Sequence, residues 1–71
     1  MDYVEMVAEM YRKRIAEGKN KASAKAFDIT DFPAGTYYKA LKSLKSSGFI
    51  KDEYTRNFSV NDSAIEYFMD E

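Results

Sequence analysis

Residues 33–47, bounded by Pro33 and Gly48, carry two faces with opposite demands. On a wheel of about 100° per residue, Tyr37, Ala40, Leu41 and Leu44 share one arc, and Lys39, Lys42, Ser43, Ser46 and Gly35 share the other. A helix of this kind must lay its dry side on a core and leave its basic side in water. It therefore has to be supported from one direction only. Proline is well placed to open such a helix, where its missing amide proton costs nothing, and the glycine ends it.

The remaining segments supply that support. Residues 2–17 read as a helix: Val4, Val7, Tyr11 and Ile15 recur at spacings of three and four, and Tyr3, Met6 and Met10 widen the stripe. Asp2 and Glu5 lie near the positive end of its dipole, and Arg12, Lys13 and Arg14 toward the negative end. These three bases are read mainly as helix stabilisers, with phosphate contact as the alternative. After a polar connector at residues 18–21, residues 22–28 read as a short helix with Ala22, Ala26 and Phe27 available for burial. Residues 29–32 read as a turn in which Ile29 and Phe32 plug the core while Thr30 and Asp31 face water. The extended run at residues 49–54 and a second run at residues 58–61 flank a polar turn and read as a hairpin with Arg56 at its tip. Residues 62–70 read as a closing helix, capped by Asn61 or Asp62, with Ala64, Ile65, Phe68 and Met69 as its buried stripe.

A chain of 71 residues makes one domain, residues 1–71, and buries only about 60% of the surface its unfolded form exposes. Core duty is accordingly the stronger reading for Tyr3, Tyr11, Tyr37, Phe27, Phe32, Phe49, Phe58 and Phe68, with Tyr38 the exception on the basic side. There is no cysteine and no histidine, which removes disulfides, thiolate and imidazole chemistry and the common zinc ligands. No base stands ready to activate a serine, so neither an enzyme, a cofactor nor a small-molecule substrate is expected. No apolar run approaches the roughly 18 residues of a membrane span, and a cytoplasmic protein is the expectation.

The net charge of −1 conceals a division along the chain. Residues 1–11 hold Asp2, Glu5 and Glu9 and no base, whereas residues 12–51 hold ten bases against three acids. After Lys51 there are six acids against Arg56 alone. Such asymmetry predicts a basic flank centred on helix 33–47 with both acidic ends carried elsewhere, a signature of nucleic-acid contact; solvated lysines on ordinary helix faces are the competing reading.

The order helix, helix, helix, hairpin, helix, together with Thr36, Tyr37, Ala40, Leu41, Leu44, Gly48, Phe49 and Ile50, resembles the winged helix-turn-helix family of DNA-binding domains. The resemblance spans about 55 of the 71 residues. It implies a mainly α fold with a three-helix core, a short two-stranded wing and a closing C-terminal helix. It further implies that helix 33–47 enters the major groove of double-stranded DNA with Thr36, Tyr38, Lys39, Lys42 and Ser43 nearest the duplex and Lys45 beside them. Lys21 and Lys25 would cross the backbone, and Arg56 would probe the minor groove. One such domain covers only a few base pairs, so a homodimer or larger assembly is expected for useful specificity. A chain of this length opening on methionine reads as a small regulator of phage or mobile-element type. The alternative is a protein-interaction module of the same fold, motivated by the acidic balance, the acidic tail and Gly35.

Overall fold

The computed structural model describes residues 2–50 and 56–70. It comprises α1 (Tyr3–Ala16), α2 (Lys21–Ala24), β1 (Ala26–Asp28), a 3-10 turn (Ile29–Asp31), α3 (Tyr37–Ser46), β2 (Asn57–Ser59) and α4 (Asp62–Met69). Among the described residues the fold is mainly helical with one two-stranded antiparallel sheet, and α1 packs on both α3 and α4.

The helix ends follow from local chemistry. Asp2, Asn20 and Asn61 each turn a side-chain oxygen onto an otherwise unpartnered amide, those of Glu5, Ser23 and Ala64, at 3.1, 2.8 and 3.0 Å. At the end of α3 the Gly48 amide donates to Lys45 and the Phe49 amide to Leu44, at 3.1 and 2.9 Å. That pair of bonds requires a left-handed residue between them, which Gly48 supplies at φ +76°.

The core gathers Val7, Ala8, Tyr11, Ala24, Phe27, Phe32, Tyr37, Leu41, Leu44 and Phe68 with their neighbours. Phe58 is its aromatic centre: Phe27 stacks on it at 5.3 Å, and Tyr37 and Phe32 lie at 5.8 and 5.9 Å. Tyr3 and Phe49 are half-buried against this cluster, as are Val4 and Ile15 of the expected stripe.

Three expectations are corrected. The helix at residues 22–28 stops after four residues, because Ala26–Asp28 pairs with Asn57–Ser59 in the register Ala26↔Ser59, Phe27↔Phe58, Asp28↔Asn57. Burying Phe27 against Phe58 outweighs the helix preference of an alanine-rich stretch. Ala22 and Ala26 consequently face solvent, and Ala24 takes the buried position. β2 pairs with β1; of the expected hairpin the structure shows the outer ends, where the Asn61 amide donates to the Phe49 carbonyl at 2.9 Å, while residues 51–55, which hold most of its first run, lie outside the described residues. Secondly, Pro33 does not open α3. Its carbonyl accepts from the Thr36 amide and hydroxyl, at 3.1 and 2.7 Å, and Gly35 at φ +81° breaks any helical path before Tyr37. Lastly, Met69 is exposed rather than part of the α4 stripe, which consists of Ala64, Ile65 and Phe68.

Candidate nucleic-acid interface

The α3 segment folds as its pattern demands. Tyr37, Ala40, Leu41 and Leu44 are buried, while Tyr38, Lys39, Lys42, Lys45 and Ser46 are exposed and Ser43 is half-buried. At 100° per residue the three lysines fall within about 120° of the helix circumference, with Tyr38 and Ser46 among them. The helix carries no acid, and none occurs in residues 32–51. Tyr38, 57% exposed, sets its ring edge-on to Tyr37 at 5.1 Å, so a large aromatic surface stands beside the lysines on a fixed base. Gly35 lies in the turn ahead of the helix, so it removes no side chain from this face.

The remaining sequence-derived candidates lie on other supports. Thr36, half-buried at the start of α3, commits its hydroxyl proton to the Pro33 carbonyl. Lys21 and Lys25 belong to α2 and its cap, which pack on α1 and β1. Lys21 is exposed; Lys25 is half-buried, and its carbonyl accepts from the Val60 amide at 3.0 Å. Arg56 immediately precedes β2, and the residues just before it, on which the expected hairpin tip depends, lie outside the described residues. Its carbonyl accepts from the Ile29 amide at 2.7 Å, and its charge lies close enough to Asp28 to favour that carboxylate.

Asp28 is held below the usual aspartate range chiefly by the Thr30 amide and then by the Thr30 hydroxyl, at 2.9 and 2.7 Å, with Arg56 contributing least. Burial pushes the Tyr37 phenol up; Tyr38 and Asp28 add to that shift and Arg56 opposes it.

Two bases that the sequence leaves between roles are structural. Arg12 pairs with Glu5 and donates to the Phe68 carbonyl at 2.8 Å, tying α1 to the end of α4. Arg14 donates to the carbonyls of Ala24 and Ala26, pairs with Asp31 at 3.0 Å, and lies 4.4 Å above the Phe27 ring. The expectation that both acidic ends are carried away from the basic flank also needs correction. Asp2 and Tyr3 share an open groove with Lys42, Ser43 and Ser46, because α1 must lie along α3 to cover its dry side.

Among the described residues no group of histidine, cysteine, aspartate or glutamate is placed to hold a metal ion, and no helix is long and apolar enough to cross a membrane. No protein-family model, curated protein or solved structure matches this chain.

Proposed function

We propose that this protein binds double-stranded DNA as a small regulator, with the exposed face of α3 directed into the major groove in the manner of a winged helix-turn-helix domain. The observation that carries the reading is the exposed side of α3, a helix with no acid of its own, on which Lys39, Lys42 and Lys45 stand with Tyr38 while the opposite side is locked into the core.

The dimensions are compatible. Ten residues of helix span about 15 Å and are about 10–12 Å across with side chains, against a major groove about 12 Å wide. Lysine ammonium groups suit phosphate oxygens or the guanine acceptors, and a tyrosine hydroxyl suits phosphate. The longest dimension of the domain, 27 Å, covers roughly eight base pairs at 3.4 Å per step, so base selectivity of practical use calls for two copies or a larger assembly on the duplex. Asp2 beside Lys42 trims the positive potential at one edge, which points to Lys39 and Tyr38 as the centre of the footprint.

The test is a charge reversal. Lys39→Glu with Lys42→Glu alters two exposed side chains and leaves the buried face untouched. Affinity for a mixed-sequence duplex should fall roughly 30–100-fold at about 0.1 M salt while the circular dichroism spectrum is retained. Unchanged affinity in a folded double variant removes α3 from the interface.

A further inference from the structure

A second surface lies on α4 and has no part in the proposed DNA contact. Of the three large hydrophobic side chains exposed among the described residues, two are here: Tyr67 at 59% and Met69 at 49%. With Phe49, Ser63, Glu66 and Asp70 they line an open groove of about 610 Å³. Its floor is rigid. Phe49 packs on Tyr67 and Phe68 at 5.3 and 6.0 Å. Asn61 fixes the approach to Phe49 by donating its side-chain amide to the Gly48 carbonyl at 2.8 Å and its backbone amide to the Phe49 carbonyl at 2.9 Å. A preformed groove loses little ordering entropy when it is filled.

Its charge is one-sided. Glu66 and Asp70 line it, Asp62 opens the same helix, and residues 57–71 contain no base. Arg12, which reaches the Phe68 carbonyl at the end of α4, is engaged there and with Glu5. A second copy docked symmetrically through α4 would set the acids of two helices against one another, which disfavours self-association on this face.

We propose that the groove of Phe49, Tyr67 and Met69 receives a basic segment of a partner protein, with an apolar residue seated between the rings and lysine or arginine side chains meeting Glu66 and Asp70. A cation drawn over the exposed Tyr67 ring would add to that attraction. This gives the molecule two faces of opposite charge: a lysine face on α3 and an acidic, aromatic face on α4.

The test uses the whole chain and a synthetic peptide of about 18 residues, long enough to form helix on contact, with leucine on one face and lysine on the other. Two control peptides carry glutamate in place of lysine, or serine in place of leucine. Amide shifts on titration should concentrate at Phe49, Ser63, Glu66, Tyr67, Met69 and Asp70. Binding should weaken about tenfold or more for either control peptide, for Glu66→Lys with Asp70→Lys, and for Tyr67→Ser. All substituted positions are exposed, and the dispersion of each variant's spectrum verifies its fold. Shifts spread over α1 and α3, equal binding of the glutamate peptide, or undiminished binding by the folded variants would overturn the proposal. So would a dimer in sedimentation that Tyr67→Ser dissolves, since a second copy would then occupy the groove. The Lys39→Glu, Lys42→Glu protein should show peptide shifts at the same residues, so loss of DNA binding and loss of this site are separately visible.

Discussion

Replacing Arg14 by methionine keeps the aliphatic stem and deletes the guanidinium that joins α1 to the β1 region. The side chain is only 16% exposed, and it donates to the carbonyls of Ala24 and Ala26. Hydrogen bonds from a charged donor contribute about 1.5–3 kcal/mol each in net terms. The ion pair with Asp31, whose side chain is 35% exposed, adds a few tenths to about 1 kcal/mol. The contact over Phe27 adds about 0.5–1 kcal/mol. These contributions share one group and do not add in full, so the expected loss is about 2–4 kcal/mol. A domain of 71 residues has only about 4–10 kcal/mol to lose, so Tm should drop by roughly 10–30 °C. Arg14→Lys should recover only part of the loss, because an ammonium cannot span two carbonyls and a carboxylate as the planar fork does. Lys13→Met, at the exposed neighbouring position, should change stability by less than about 0.5 kcal/mol. Urea denaturation followed by circular dichroism measures all three. An Arg14→Met protein within about 0.5 kcal/mol of the parent would refute the clamp and return Arg14 to the pool of cations free to meet phosphate.

Two further predictions concern local geometry. Gly48→Ala meets no atom within 4 Å, so its cost is backbone strain alone: about 1 kcal/mol lost in urea denaturation, and an unchanged midpoint would contradict the left-handed cap. Thr30→Val removes the hydroxyl bond to Asp28 but keeps the larger contribution of the Thr30 amide, so the Asp28 carboxyl should titrate higher than in the parent yet still below the ordinary range by NMR. Because the folded value is the lowered one, the stability linked to Asp28 is complete above the ordinary aspartate range and is lost as pH falls through the folded value; the variant should show a smaller acid loss. Identical titration in the two proteins would remove Thr30 as the cause.

The parts of the fold legible in sequence are those set by one helix and its caps. Periodicity marks α1, α3 and α4, and Asn61 marks the start of α4, because a buried stripe and a local hydrogen bond are encoded within a few residues. The strand pair is not legible in the same way. Residues 26–28 are an alanine and an aspartate around one phenylalanine, and only the distant Phe58 gives them a reason to extend. The exposure of Met69 likewise depends on which side of α4 meets α1, and spacing within α4 cannot reveal it. Of the candidate interface, Tyr38, Lys39, Lys42, Ser43 and Lys45 share one helix as the wheel requires. The places of Lys21, Lys25 and Arg56 depend on how α2 and the sheet pack, and they fall on other supports. Arg14 is the reverse case, a base whose structural engagement comes from carbonyls 10 and 12 residues away.

The salt dependence of DNA binding separates an α3 that grips phosphates from one whose lysines are merely solvated. Fluorescence anisotropy of a labelled duplex, titrated with the parent protein at several salt concentrations, should give a log–log slope of roughly −3 to −5, as expected if three to five lysines led by Lys39 and Lys42 neutralise phosphates. The slope of the Lys39→Glu, Lys42→Glu protein should be shallower by about 2. A parent protein that does not bind, or two slopes that coincide, would contradict the assignment of α3 as the DNA-contacting helix.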